Sequence, residues 1–397
     1  MSERGNTLGA GSSIRSNRDF KLLMTSATIF AAIDGLVYTV LQLYLKSLGF
    51  TGASIGRFIL IQGMSSALMI LPFGIISDMM DRRKLVALGV ASSSTAVLVV
   101  VITQEEPVVM VAAPLFGIGN AIFSPSLSAL VSERVGDSEL ETAYALHAVL
   151  VQAAYGSSAM IGWAPEILAG VGYSLQDAYR LSIAWLAPFG LAAVLPAMLV
   201  RKSESRSKRD FRISRNPVVM RVTVTQLLIG FGAGLSVPML SYYLSVKFGV
   251  ESGPIGSINS IVSFIAIPFY FLVPSISHRL GSLKAIVLPQ VASIPLMALL
   301  PFAPGFEIAS ILFISRQILM NMSSPLLTAF LMRHASPGER ATASALTSIA
   351  WRIPNSASAQ IGGYLFDVDL DAPLFATSAI YAVYISVFYA LFREMER

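Results

Sequence analysis

Four ionisable side chains lie inside long apolar stretches of this sequence, where charged groups are unusual. Asp34, Arg316 and Arg352 fall near the middle of such stretches, and His147 lies nearer to an end. A charged group at the centre of a bilayer costs about 2.5–3.5 kcal/mol, so it must face protein or water and find a partner. A carboxyl or imidazole group can carry a proton, whereas a guanidinium can bind an anion. Proton transfer and anion binding are therefore the first kinds of chemistry that the sequence offers.

Uncharged polar side chains accompany these charges at a similar depth. Tyr38 follows Asp34 by one helical turn, and Asn355 follows Arg352 by three residues. The set of such polar candidates is Tyr38, Asn120, Gln152, Asn321 and Asn355. Polar faces on otherwise apolar helices line a wet cavity or bind a neighbouring helix. Because several helices carry such faces at one depth, we predict a cavity.

Three interpretations of the charges stay open. In the first, Asp34 carries a proton, since removal from water favours its protonated form and a mobile arginine favours its ionised form. His147 is a second candidate for proton transfer. In the second interpretation, Arg316 and Arg352, helped by the polar set, bind an anionic solute through guanidinium forks. In the third, Asp34 and one arginine form a static contact. The first two are compatible, and we take them together as the working hypothesis.

Composition indicates that a membrane protein holds these residues. Hydrophobic residues make up 54% of the 397 positions and charged residues only 13%, about half of the charged share in a soluble domain. The chain has no cysteine, which excludes disulfide bonds and thiol chemistry. Its three histidines are too few to build a metal site on their own, so we expect no metal and no cofactor.

Twelve apolar stretches are long enough to cross a bilayer, and they fall into two groups of six. They predict an all-α membrane protein with two six-helix bundles. The predicted divisions are a cytoplasmic tail at 1–19, a bundle at 20–200, a basic cytoplasmic linker at 201–216, a bundle at 217–392 and a cytoplasmic tail at 393–397. Most lysines and arginines lie in the tails, the linker and the loops on the same side, so the positive-inside rule places both termini in the cytoplasm. The net charge of +5 therefore reflects orientation in the membrane and does not indicate nucleic-acid binding.

The two groups of six are copies of one another. A shift of 200 residues aligns Lys84 with Lys284 and Pro125 with Pro325 in a single register. A parallel duplication of six helices implies a pseudo-two-fold axis along the membrane normal, with a solute site between the halves.

The loop between the second and third stretches carries a recognisable pattern, Gly74, Asp78, Arg82, Arg83 and Lys84 in the spacing G-x-x-x-D-x-x-x-R-R-K. With the duplication, this pattern resembles the major facilitator superfamily, although Met79 and Asp81 replace the usual basic residue and glycine. The resemblance implies a twelve-helix transporter that works by alternating access. It also implies that Gly74, Asp78, Arg82 and Arg83 form a latch at the cytoplasmic side, with Glu133 as the partner.

The expected function is therefore secondary active transport, not enzymatic catalysis. The solute crosses the plasma membrane with proton coupling, and a small organic anion is the favoured class of substrate. Two alternatives stay open: proton-coupled efflux of amphiphilic drug-like compounds, and a non-transporting sensor or receptor on a transporter scaffold. The expected partners are the solute, protons and the lipid bilayer, and we expect a monomer with no nucleic-acid partner.

Overall fold

Every regular element in the described part of the chain is a helix. The computed structural model describes residues 17–135, 139–202, 216–335 and 340–396. Numbered as membrane-crossing units in chain order, the helices are α1 Arg18–Ser47, α2 Gly52–Met79, α3 Arg82–Ile102, α4 Ala112–Arg134, α5 Leu140–Ala159, α6 in the three segments Leu175–Ala184, Leu186–Ala192 and Val194–Leu199, α7 in the two segments Pro217–Ser236 and Leu240–Phe248, α8 Ser252–Leu280, α9 Ser282–Leu299, α10 in the two segments Phe306–Asn321 and Ser324–His334, α11 Arg340–Val368 and α12 Ala372–Phe392. Short helices at Glu106–Val109 and Ala164–Gly170 lie outside these twelve units.

Nine helical stretches in the described part are long and apolar enough to cross a membrane by hydropathy alone. The other three units, α5, α10 and α11, are the helices that carry His147, Arg316 and Arg352. Helix α10 is divided into segments of 16 and 11 residues, and polar side chains lower the mean hydropathy of α5 and α11. The predicted all-α membrane architecture of twelve helices is confirmed.

The first helix of each half begins in the same way. Asn17 caps α1 and Asn216 caps α7, each through its side-chain oxygen. The amide nitrogen of Asn17 donates to the carbonyl of Arg134 at 2.7 Å, and that of Asn216 donates to the carbonyl of His334 at 2.7 Å. Both acceptors lie at the end of the fourth helix of their own half. The duplication that the sequence indicates therefore appears as a repeated contact in the structure.

The helix order gives the molecule two faces. The terminal face carries the start of α1 and the end of α12, and the distal face carries the opposite helix ends. Two seams join the halves, α2 against α11 and α5 against α8. Backbones approach closely there: a Cβ atom on Gly56 would lie 2.6 Å from the carbonyl oxygen of Ala359, and Gly256 meets the carbonyl of Ala159 in the same way. Only glycine permits such an approach.

Two carboxylates, which we call the distal caps, bind helix starts across these seams. Asp367, at the end of α11, accepts hydrogen bonds from the backbone nitrogens of Gly52 at 2.6 Å and Ala53 at 2.7 Å, at the start of α2. Glu166, which follows α5, accepts from the nitrogen of Gly253 at 2.8 Å, at the start of α8. A helix N-terminus has unpaired N–H groups and a positive dipole end, so a carboxylate is a suitable partner.

The halves are in close contact at the distal face. Tyr179 of α6 donates to Glu251, just before α8, at 2.7 Å, and Lys46 of α1 donates to Ser245 of α7 at 2.7 Å. Towards the terminal face, by contrast, Tyr144 and Leu146 of α5 are 37% and 39% exposed. The described contacts therefore close the distal face more firmly than the terminal face.

Candidate functional site

Asp34 lies in the middle of α1, at the boundary between the halves. Its carboxyl group lies near the Asn120 side chain on α4, whose amide donates to the carbonyl of Phe116 at 3.3 Å, and it interacts electrostatically with Arg352 on α11. The side chain is only partly buried, although it lies deep inside the molecule. A carboxyl group between an amide and a guanidinium can exist with or without a proton, which is the requirement for a proton carrier.

Tyr38, one turn further along α1, links Asp34 to both halves. Its ring lies 6.0 Å from that of Tyr155 on α5, and its hydroxyl interacts electrostatically with Arg316 on α10. Tyr155 in turn interacts with Asp34. Asp34, Tyr38, Arg316 and Arg352 are thus close enough to influence one another, as their depths in the sequence predict.

Arg352 borders a cavity of about 140 Å³ at the seam between α2 and α11, which we call the Arg352 pocket. One nitrogen of its guanidinium donates to the Ser66 hydroxyl of α2 at 3.2 Å, across the halves. Asn120 and Asn355 line the same pocket. The amide of Asn355 also donates to the carbonyl of Gly230 on α7 at 3.3 Å, which ties α11 to its own half.

Arg316 borders a second cavity, of about 310 Å³, inside the second half, which we call the Arg316 pocket. Asn321 lines it together with four side chains that the sequence did not single out as candidates for function: Gln226, Gln290, Gln317 and Tyr381. The two guanidinium groups therefore do not share one pocket. Gln226 and Gln290 could have been found by the signal that marked Asn120, an amide inside an apolar stretch, whereas nothing distinguishes Tyr381 from the other tyrosines.

Trp351 lies between the two pockets and lines both. It is 37% exposed although it lies well inside α11, so its ring faces the cavities. An accessible indole ring in a membrane-embedded cavity offers an apolar surface and one hydrogen-bond donor to a solute.

Four of the predicted residues line neither pocket: Asp34, Tyr38, His147 and Gln152. His147 lies eight residues before Tyr155 on α5, which is about 12 Å along the helix towards the terminal face. Burial lowers the tendency of any imidazole to hold a proton, so a role for His147 depends on proton movement along α5. That role stays a prediction.

The predicted latch lies at the terminal face, where α2 ends and α3 begins. Arg82 forms an ion pair with Glu133 near the end of α4. Gly74 and Asp78 belong to α2, but their side chains lie outside the described part of the structure. The Arg82–Glu133 ion pair joins two of the predicted latch residues, and the role of the latch in gating stays a prediction.

Asp81, which departs from the family pattern, has a structural role. It caps the start of α3 and pairs with Arg83 at 2.6 Å, and Arg83 also donates to the carbonyl of Val200 at 2.7 Å. Hydrogen bonding to the Arg83 guanidinium holds the pKa of the Asp81 carboxyl below its ordinary value. The carboxylate thus anchors the α2–α3 loop to the end of α6.

Twelve membrane-crossing helices in two similar halves, with charged residues around internal cavities at the boundary, define a polytopic membrane transporter. The chain belongs to the Major Facilitator Superfamily, whose family model matches residues 23–359. The resemblance drawn from the α2–α3 loop and the duplication is confirmed.

Similar proteins are known by sequence and by structure. The chain is 21% identical to the quinolone resistance protein NorA of Staphylococcus aureus (strain MRSA252), over 90% of this chain and 92% of that protein. It is 20% identical to multidrug resistance protein 1 of Bacillus subtilis (strain 168), over 94% and 96%. Among solved structures, a bacterial homologue of the human lysosomal transporter Spinster, inward-facing and unoccupied, has a TM-score of 0.78 at 13% identity, covering 97% of this chain and 98% of that one. The nucleoside transporter NupG has a TM-score of 0.74 at 13% identity, covering 94% and 99%. At these identities the solved structures show the fold alone.

Proposed function

We propose that this transporter couples the movement of a small organic anion to that of protons. The observation that carries the proposal is the position of Asp34, a carboxyl group in the core of the membrane region that faces Asn120 within its own half and Arg352 across the boundary. A proton on Asp34 weakens its attraction to Arg352, and loss of the proton restores it. Protonation thereby changes the free energy of bringing the two halves together around the cavity.

The orientation that we propose follows from the charge of the loops. The terminal face, with its excess of lysine and arginine, is cytoplasmic in the plasma membrane, and both termini lie in the cytoplasm. The distal contacts are then external, and the structure corresponds to an inward-facing state of the alternating-access cycle. A proton that enters down a potential of 100 mV gains about 2.3 kcal/mol, but a monoanion that enters with it loses the same amount, so a one-to-one symport is driven by the pH gradient.

The Arg82–Glu133 ion pair fits the latch in this scheme. We propose that the latch residues hold the cytoplasmic ends of the helices in place while the transporter changes state. These residues are Gly74, Asp78, Arg82, Arg83 and Glu133. Because α2 runs from this latch to the Asp367 cap at the opposite face, movement at one end of α2 is transmitted to the other.

Proton coupling is tested in proteoliposomes with pooled radiolabelled organic anions, in two assays on the same preparation. We expect a pH gradient to drive accumulation in the wild type and not in Asp34→Asn. Exchange of labelled for unlabelled solute at equal pH, which needs no net proton movement, should persist in Asp34→Asn. Asp34→Glu, which keeps a titratable group, is the matched control. Accumulation by Asp34→Asn at the wild-type rate would contradict the role of Asp34.

Export of amphiphilic compounds is the second candidate function. Its support is that NorA and multidrug resistance protein 1, whose names denote resistance, are similar along nearly the whole chain. Expression in a drug-sensitive bacterial host separates the two candidates. A rise in the inhibitory concentration of cationic dyes, with no uptake of organic anions, would favour export. Solute binding without flux in either assay would instead favour the sensor or receptor alternative.

A further inference from the structure

Arg316 carries a buried charge that only neutral groups accompany. Its side chain is 2% exposed. One guanidinium nitrogen donates to the Gln317 side chain and another to the Tyr381 hydroxyl at 3.1 Å, and the group lies 5.6 Å from the centre of the Tyr381 ring. Within the part of the chain that the structure describes, no carboxylate lies within 4.0 Å of Arg316, and its Nε atom has no hydrogen-bond partner.

A guanidinium cannot relieve this burial by losing its proton, because its pKa is too high. A buried charge is costly unless an opposite charge and hydrogen bonds compensate it. Arg316 lines the Arg316 pocket, so a negative group bound in that pocket would supply the compensation.

Arg352 is in a different situation. It interacts with the Asp34 carboxyl group and donates to Ser66, so one acid and one base already balance each other there. Of the two guanidinium groups, Arg316 is therefore the one left with an unbalanced positive charge. A ligand that balances it needs a single negative charge, which a carboxylate carries and a phosphate monoester exceeds.

The rest of the Arg316 pocket indicates the body of the ligand. Its volume of about 310 Å³ is at the lower end of the range for small-molecule sites. The exposed Trp351 ring forms one wall, on which a flat ring can stack. Gln290 also lines the pocket and gives its wall an uncharged polar side chain.

We propose that the Arg316 pocket binds a small aromatic monocarboxylate, with the carboxylate beside the Arg316 guanidinium and the ring against Trp351. This inference rests on the proposed function, which it narrows: Arg316 binds the solute, and Arg352 serves as the partner of Asp34. The earlier expectation that both arginines bind solute is thereby replaced by a division of tasks between them.

The test measures binding to the purified full-length protein by tryptophan fluorescence. The sequence has three tryptophans, so Trp163→Phe with Trp185→Phe leaves Trp351 as the reporter. The probes are 1-naphthoate, naphthyl phosphate, neutral 1-naphthalenemethanol and cyclohexanecarboxylate. We expect saturable binding of naphthoate, at least ~10-fold tighter than that of the other three, because each lacks either the matching charge or the ring.

Variants then assign the contact. Arg316→Gln should weaken naphthoate binding at least ~10-fold, since a charge-assisted hydrogen bond is lost, and Arg316→Lys should weaken it less. Arg57→Gln is the matched control, because Arg57 forms only an exposed ion pair with Glu106 at 3.8 Å and lines neither pocket, and its expected change is below about threefold. If Arg316→Gln fails to fold, as judged by size-exclusion chromatography, Arg316→Lys and the comparison of probes on the wild-type protein still decide the question.

Two outcomes would overturn the inference. One is equal binding of naphthoate and the neutral alcohol, or no saturable binding of any probe. The other is loss of binding in Arg352→Gln with none in Arg316→Gln. Neither outcome bears on proton coupling, which the Asp34→Asn transport assay measures separately, so the inference and the proposed function fail by different results.

Discussion

Replacing Asp367 by asparagine tests whether the distal caps hold the external side closed. The carboxylate accepts two backbone hydrogen bonds from the start of α2, at 2.6 and 2.7 Å, across the boundary between the halves. These bonds exist only while α11 lies against α2. Asp367→Asn removes the charge and one of the two acceptor oxygens, so the closed state loses free energy that the open state does not.

The size of that loss follows from the contacts. A hydrogen bond to a charged group contributes about 1.5–3 kcal/mol where it is sheltered. The dipole at a helix start adds about 0.3–1 kcal/mol for a carboxylate. Because Asp367 is exposed and asparagine keeps one acceptor, we expect a net loss of about 1 kcal/mol. Such a change shifts the ratio of closed to open molecules by about fivefold.

The absence of cysteine from the chain makes this shift measurable. Ser356→Cys places a thiol in the α2–α11 seam, opposite Gly63, at a position that is 4% exposed. Its rate of labelling by a membrane-impermeant maleimide, added to intact cells, reports opening of the distal face. We expect about fivefold faster labelling when Asp367→Asn is added.

Asp369→Asn is the matched control for this experiment. Its carboxylate lies in the same loop but accepts from the backbone nitrogen of Asp371 at 2.9 Å, within its own half. It should leave the labelling rate unchanged. If both variants accelerate labelling equally, the effect is one of loop charge, and if neither does, the Asp367 cap does not stabilise the closed face.

Two further predictions concern other carboxylates. Burial, opposed by the hydrogen bond from Gly253 and reinforced by the charge of Glu251, raises the pKa of Glu166 above its ordinary value of 4.5 while the distal face is closed. The closed state then binds a proton more tightly than the open state, so closure should strengthen as external pH falls from the raised pKa to 4.5. Labelling of Ser356→Cys should slow over that pH window. The Glu166→Gln variant should lose this pH dependence. Asp81→Ala removes the cap of α3 and should lower the free energy of unfolding by about 1 kcal/mol, whereas Asp81→Asn should retain much of it. Thermal unfolding in detergent measures this difference, and because the folded-state pKa of Asp81 is lowered, the contribution should fade as pH falls below the ordinary carboxyl range.

Much of the architecture could be predicted from sequence because lipid imposes simple rules. Length and hydropathy identify the spans, and a charge such as Asp34 inside a span must face the protein. The same rules predicted that Asp34, Arg316 and Arg352 lie at a similar depth, but they left open which arginine accompanies Asp34. The division of the chain into its tails, bundles and linker stays a prediction.

The separation of Arg316 from Arg352 could not be predicted, for a physical reason. Helical periodicity gives the face and depth of a side chain but not which neighbouring helix it meets, and here Trp351 divides one expected cavity into two. The contacts of the distal caps could not be predicted from the sequence for a similar reason. Glu166 and Asp367 read as acidic loop residues, and the partners of Asp367 lie 315 and 314 residues away in the sequence.

The crossed placement of Glu166 and Asp367 connects the evolutionary histories of the two halves. Each copy of the duplicated unit contributes an acid to the other copy and receives one in return. Loss of either acid would leave a helix start in the other copy without its side-chain cap. A chimaera that joins one half of this chain to the other half of a distant relative would keep both cores intact and break both exchanges at once. The stability of a helix start in each copy therefore depends on an acid in the other copy, although about two hundred residues separate the two acids.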